Sequence, residues 1–265
     1  MLGLLQSLLA FLRFLAGAAL FSFMNVVAWR LAHGQHFATG RSACPACGAT
    51  LTTADLVPVF SWLVLRGKCR HCGAPIAVRY LAVELLGGGF ALGCTARFGT
   101  ALSLRQGLFG MSWAALWALW LLGLLCAIAL IDAETQIIPD RLNLAVGLCA
   151  PFALLLLPEV TPQARLLGAF CVSLPMFVLA LAIPGAFGGG DIKLMFAAGL
   201  CLGWKNTLLG LFLAVVTGGG YAAWLLATGK KGRRDHFAFG PFLCAGVAAA
   251  LLWGGTILKW YVSLL

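Results

Sequence analysis

Apolar and polar positions in this chain segregate into long blocks rather than alternating with a strand or amphipathic-helix period. Eight apolar segments stand out, at about residues 5–29, 80–97, 107–131, 142–158, 166–184, 192–203, 206–228 and 242–262. The third, GLFGMSWAALWALWLLGLLCAIALI from Gly107 to Ile131, runs 25 residues without a charge. About 20 apolar residues suffice for a helix to cross a bilayer. The pattern therefore predicts an all-α polytopic membrane protein of about eight transmembrane helices. The sixth segment is only about 12 residues long, short for a crossing at about 1.5 Å per residue. It is counted as a span because of where it leaves the charges.

Composition agrees with the blocks. The 265 residues are 62% hydrophobic and 10% charged, with mean hydropathy +0.99; a soluble domain carries about a quarter charged residues. The net charge of +10 is read as cytoplasmic loop charge rather than as a nucleic-acid surface. If the loop after the first segment is cytoplasmic, that side holds Arg30, Arg41, Arg66, Lys68, Arg70, Arg79, Arg141, Lys193, Lys230, Lys231, Arg233 and Arg234. Arg97, Arg105, Arg165, Lys205 and Lys259 fall opposite. This asymmetry is the one a correct topology shows. Dropping the sixth span would move KKGRR to the wrong side. Both termini then face away from the cytoplasm. The first segment is read as a retained span: nothing basic precedes Arg13, and NVVAWR follows where a signal peptide would have a small-residue cleavage site. The organisation is a first transmembrane helix (1–29), a cytoplasmic loop (30–79) and a seven-helix membrane domain (80–265).

The loop reads CPACGATLTTADLVPVFSWLVLRGKCRHCG. Cys44 and Cys47 form one C-x-x-C, Cys69 and Cys72 a second, with 21 residues between the pairs. Two such knuckles can hold one metal ion in a tetrahedral thiolate site, two disulfides or free thiols being the alternatives. Gly48 and Gly73 permit the tight turn after each knuckle. A cytoplasmic location disfavours disulfides. His71 competes as a ligand only if a thiolate is displaced. Four protein ligands leave no open position, so the ion is structural. Cys94, Cys126, Cys149, Cys171, Cys201 and Cys244 are scattered singly in apolar segments and read as small buried side chains.

Eight acidic residues remain to be placed: Asp55, Glu84, Asp132, Glu134, Asp140, Glu159, Asp191 and Asp235. Glu159 and Asp235 fall in loops, and Asp55 in the cysteine loop. Glu134 sits in a polar turn. Asp140, after Pro139, is read as a cap of the fourth helix. Glu84 interrupts YLAVELLGGGFALG; a carboxylate there is costly and points to function or to a loop base such as Arg79. Asp132 ends the third span, and Asp191 follows three glycines in GGGDIKLM. The charge-derived topology puts both at the cytoplasmic face. Two carboxylates brought close share one proton, so one serves as base toward water and the other as acid toward a carbonyl oxygen. The glycines let backbone approach a neighbouring helix or a substrate strand. Two unrelated helix caps are the alternative.

FSFMNVVAWRL, the two C-x-x-C knuckles, RYLAVELLGG, IDAETQIIPD, GGGDIKLM and FAFGPFLCAG occur in this order over most of the chain. With them the sequence resembles the bacterial type IV prepilin peptidases, membrane aspartyl proteases with a G-x-G-D motif. One departure is Ala32, where the family usually has proline. The resemblance implies an eight-span inner-membrane enzyme that removes the basic leader from type IV prepilins or type II secretion pseudopilins at the cytoplasmic face. It implies Asp132 and Asp191 as the catalytic pair and Cys44, Cys47, Cys69 and Cys72 as zinc ligands. It also implies N-methylation of the new N-terminal residue with S-adenosylmethionine, for which the chain has no G-x-G-x-x-G. Glu84, Glu134 and Asp140 are expected contacts for the basic leader; Asn25 and Glu84 are polar groups near substrate or cofactor. The competing classes are a transporter or proton relay with a zinc regulatory loop, and a non-catalytic assembly factor.

Overall fold

The computed structural model describes residues 2–36, 40–101, 103, 105–183, 185, 187–229 and 237–264. The basic run Lys230–Arg234 and Asp235 lie outside them. Packing divides the chain into two units, residues 1–123 and 124–265.

The first unit is built on α1 (Leu2–Ala32), which packs against α3 (Val78–Phe98). Their contact is backbone to backbone. A Cβ on Gly17 would collide with the Gly87 carbonyl, and one on Gly88 with the Phe14 ring. Small residues matter here because lipid tails are as apolar as leucine, so close van der Waals packing drives helices together. The loop between them carries the turn Thr53–Leu56 and the short helix α2 (Phe60–Val64). The predicted third span starts later than the apolar run. Gly107–Ser112 folds instead as a two-residue hairpin, β1 (Gly107–Leu108) on β2 (Met111–Ser112). Phe109 and Gly110 at its tip both have positive φ, 53° and 72°, the geometry of a tight hairpin turn. Helix α4 (Trp113–Thr135) follows and continues into the second unit.

The second unit holds α5 (Asp140–Leu148), α6 (Ala150–Leu156), α7 (Pro162–Ala182), α8 (Gly189–Leu202), α9 (Trp204–Ala227) and α10 (Gly240–Val262). The predicted fourth span is two short helices. Pro151 lacks the N–H that would continue α5 and its ring clashes with the preceding turn. Helix α8, at 14 residues, spans about 21 Å. Among the described residues, six helices are long and apolar enough to cross a membrane: α1, α3, α4, α7, α9 and α10. Six of the eight predicted segments are full-length helices; the fourth is the pair α5–α6 and the sixth the short α8.

Helix α8 is the centre of this unit, contacting α5, α6, α7, α9 and α10. Gly168 of α7 and Gly199 of α8 meet so closely that a Cβ on Gly168 would lie 2.6 Å from the Gly199 carbonyl oxygen. Gly246 of α10 meets Gly210 of α9 in the same way. Arg165, 4% exposed, ties the ends together. Its guanidinium donates to the carbonyls of Ala153 (2.8 Å), Leu157 (2.9 Å), Leu200 (3.4 Å) and Cys201, and its Nε to Val160 (3.2 Å). These carbonyls lie at the C-terminal ends of α6 and α8 and in the turn after α6, near the negative ends of the helix dipoles; those of Ala153 and Leu157 also accept the Leu157 and Val160 N–H groups. Arginine's fork of five donors suits this position. Replacing it removes the side-chain donor from all five carbonyls. Arg165→Met is expected to destabilise the detergent-solubilised protein by about 3 kcal/mol, read as a drop in thermal midpoint; an unshifted melt contradicts this role.

Candidate active site and metal site

Asp132 lies in the last turn of α4, 5% exposed. Its Oδ2 accepts the backbone N–H of Gly240 at 2.9 Å. Gly240 opens α10, ahead of Pro241, so its N–H is one of the free donors at a helix start. No other residue fits: a Cβ at Gly240 would lie 2.6 Å from Asp132 Oδ2. The motif FAFGPFLCAG therefore serves Asp132 across 108 residues of chain, a relation that sequence spacing does not show.

Asp191 sits in the first turn of α8, whose N-cap is Gly188. Its N–H bonds the Gly188 carbonyl at 3.1 Å. Each glycine before it has a different surrounding. A Cβ on Gly188 would stand 3.2 Å from Asp191 Oδ2; Gly189 faces open space; a Cβ on Gly190 would be 2.8 Å from Ile138 Cβ. Ile138, buried, comes from the turn after α4. Gln136 makes that turn with φ 55°, its N–H closing on the Asp132 carbonyl at 2.8 Å. The segment that follows one aspartate thus packs on the glycine that precedes the other. The two carboxylates lie within electrostatic reach of one another and of Cys244 on α10. Asp191 Oδ1 is buried without a partner among the described residues. The arrangement offers one carboxylate held by a backbone donor and a second with an oxygen unspent, which suits a proton-sharing pair acting on water.

In the first unit, the Sγ atoms of Cys44, Cys47, Cys69 and Cys72 all lie within 4.8 Å of one another. A tetrahedral zinc–thiolate site has sulfurs about 3.8 Å apart, and Cys44 and Cys72 stand at 3.9 Å. The two knuckles repeat the same local structure. Cys44 N–H bonds Ala49 O and Cys69 N–H bonds Ala74 O, at 2.9 and 2.8 Å. Gly48 and Gly73 take φ of 71° and 70°. The Cys47 and Ala46 N–H groups point at the Cys44 sulfur and bring its thiol down to about 7. The Cys72 and His71 N–H groups likewise lower Cys69. The donor set fits a metal ion. Asp55 braces the loop: Arg70 Nε binds its Oδ1 at 2.7 Å and the Thr52 hydroxyl its Oδ2 at 2.7 Å. The Thr52 hydroxyl and then Arg70 hold this carboxyl down at about 2.

The other candidates are placed as follows. Glu84, 8% exposed, accepts the Ser22 hydroxyl and the Val59 N–H, each at 2.7 Å. Val59 has φ 66°, a strained conformation for a β-branched residue, and Glu84 holds it. Asp140 does not cap α5 with its side chain; the N-cap is Pro139. Its carboxylate binds Lys193 Nζ of α8 at 2.7 and 2.9 Å. Glu134 is exposed at the end of α4. Asn25 is 1% exposed, with both amide heteroatoms unpartnered among the described residues. Asn143, which the sequence reading passed over, donates Nδ2 to the Gly190 carbonyl at 3.1 Å; only its position three residues after Asp140 hinted at it.

Residues 15–98 match the bacterial peptidase A24 N-terminal domain, and residues 118–223 match the type IV leader peptidase family. The chain is 40% identical over 223 residues to a prepilin leader peptidase/N-methyltransferase of Burkholderia pseudomallei (strain K96243), covering 81% of this chain and 67% of that protein. A protein of the same name from Bacillus subtilis (strain 168) is 34% identical over 251 residues, 95% of this chain and 97% of the relative. One from Aeromonas hydrophila is 33% identical over 228 residues, 84% and 75% respectively. No solved structure gives a significant match.

The Glu84 contacts carry their own prediction. Glu84→Leu strands the buried Val59 N–H, at a cost of about 1–3 kcal/mol. The loop of residues 40–76 is expected to become several-fold more sensitive to limited proteolysis, with α1 and α3 intact. Unchanged cleavage rates contradict the bracing role.

Proposed function

The chain belongs to the type IV leader peptidase family, and on that footing we propose that Asp132 and Asp191 are its peptidase and the four-cysteine loop its zinc site. The protein is a prepilin peptidase with N-methyltransferase activity. The transporter and assembly-factor readings give way to this one. The observation that carries the catalytic assignment is the convergence of two carboxylates from α4 and α8, one on a bare glycine N–H and one with a free oxygen.

The substrates are prepilins or pseudopilins, cut between a basic leader and an apolar helix. The dyad shares one proton. The ionised carboxylate takes a proton from water, and the water oxygen bonds the scissile carbonyl carbon. The protonated partner gives its proton to the carbonyl oxygen. Collapse of the tetrahedral species breaks the C–N bond, and a proton returns to the leaving amine. The Gly240 N–H fixes Asp132 for this work, and Ile138 packing on Gly190 fixes the head of α8.

The chain crosses the plasma (inner) membrane eight times, with α5–α6 and α8 as short crossings, both termini outside and residues 30–79 inside. Cys44, Cys47, Cys69 and Cys72 hold the zinc, which organises the loop and leaves no position for catalysis. S-adenosylmethionine supplies the methyl group. Asn25 retains hydrogen-bonding capacity in the first unit for that donor or the methyl acceptor.

Asp132→Asn and Asp191→Asn proteins, assayed on a prepilin in liposomes, are each expected to lose at least about a thousandfold in cleavage while keeping their zinc. Gly240→Ala is expected to behave like Asp132→Asn. Substantial cleavage by either Asn variant removes the dyad. Stripping zinc with a chelator is expected to expose the cysteine loop to protease and to release one zinc per chain by elemental analysis; a metal-free protein with an ordered loop contradicts the zinc site.

A further inference from the structure

An apolar groove of ≈ 520 Å³ runs along the outside of the second unit between α5, α7 and α8. Its walls are mainly Leu144, Phe170, Leu174, Phe177 and Phe196. All five are exposed. One end is marked by the Asp140–Lys193 ion pair, one turn from Asp191, and the other by Gly147 and Leu200. Along α8 it extends from Ile192 to Leu200, about 12 Å of helix. The groove therefore begins at the level of the reactive carboxylate and runs away from it along the helices.

Asn143 joins the two features. It lines the groove and is 5% exposed. Its Nδ2 donates to the carbonyl of Gly190, the residue before Asp191. Its Oδ1 is buried and has no partner among the described residues. Buried amide oxygens are ordinarily paired, and an unpaired one calls for an explanation. An unpaired amide oxygen on a residue that lines the head of an apolar groove complements one kind of ligand well: an apolar helix that enters by its N-terminus and displaces the covering atoms. The first four N–H groups of such a helix have no internal acceptor, and an asparagine side chain is among the best acceptors for them.

We propose that Asn143 is a substrate-positioning residue: Nδ2 holds Gly190 and with it Asp191, while Oδ1 accepts a backbone N–H from the first turn of the substrate's apolar helix, which lies in the α5–α7–α8 groove. The inference rests on the peptidase reading above and specifies how its substrate is seated. A chain cut at the start of an apolar helix brings its scissile bond to Asp191 when that helix occupies the groove. Holding the substrate and the carboxylate through one amide keeps both in a single register.

The test is cleavage kinetics of a full-length prepilin by the full-length enzyme in liposomes. Asn143→Leu loses both bonds, and KM is expected to rise about tenfold with a fall in kcat. Asn143→Asp keeps an acceptor and loses the donor to Gly190; kcat falls with KM within about twofold of wild type. Gly147→Leu fills the far end of the groove. A Cβ there meets only Ala197 Cβ, at 3.9 Å, so the helix accommodates it, and KM rises about tenfold with kcat little changed. A photo-crosslinker at Leu144 is expected to capture the prepilin's apolar segment. Unmoved KM values in Gly147→Leu and Asn143→Leu, or crosslinks to lipid alone, overturn the proposal. A fall in kcat alone for Asn143→Leu reduces Asn143 to a clamp on Gly190 and overturns the substrate contact. A wild-type protein that cuts no prepilin overturns the peptidase reading instead.

Discussion

Backbone meeting backbone is the constraint on which this structure rests. In lipid, burying a leucine against another helix gains little over leaving it among acyl chains. Helices are held where they touch without intervening side chains. Gly168 and Gly199 bring α7 and α8 together, Gly210 and Gly246 join α9 to α10, and Gly17 and Gly87 join α1 to α3. The first two contacts govern the chemistry. Helix α8 carries Asp191 and α10 presents the Gly240 N–H to Asp132, so helix placement sets the geometry of the carboxylate pair.

Polar groups in such a chain are few, and those that are buried find backbone partners. Arg165 takes the carbonyl ends of two helices. Glu84 takes a strained N–H. Asp132 takes a helix-start N–H. A polar atom without water around it is expensive unless paired, so each of these contacts removes a penalty as well as adding a bond. Against that background the unspent atoms among the described residues stand out: Asp191 Oδ1, Asn143 Oδ1, the Asn25 amide and Arg13 Nε. The first belongs to the proposed reactive pair. The second belongs to a residue that lines an apolar groove.

The loop obeys a different rule. Large apolar residues of the loop, among them Leu56, Val57, Phe60, Leu63 and Val64, stay exposed rather than forming a core. Two copies of one short turn, each with a positive-φ glycine, bring four sulfurs together, and the Asp55–Arg70 pair fastens the intervening turn to the second knuckle. A metal ion on these four sulfurs would supply the cross-link that such a segment otherwise lacks.

By itself the sequence determined the class, the apolar blocks, the clustering of four cysteines and the two aspartates proposed as the reactive pair. Each of these is local: apolar run length, C-x-x-C spacing and a carboxylate after glycines are legible without knowing what lies opposite. Helix limits were less legible, because Pro151 and the Phe109–Gly110 turn interrupt runs that stay apolar throughout. Tertiary structure alone decided the long-range pairings. Arg165 counted in the sequence as a loop charge, yet it is buried on carbonyls of α6 and α8. Asp140 read as a cap, yet it reaches Lys193. Gly240 and Asn143 carried no chemistry in the linear chain. Their roles exist only because folding brings a bare N–H to one aspartate and an amide to the residue before the other, at separations of 108 and 47 residues. Residue type states what a group can bond; in a membrane, helix packing decides which bonds it makes.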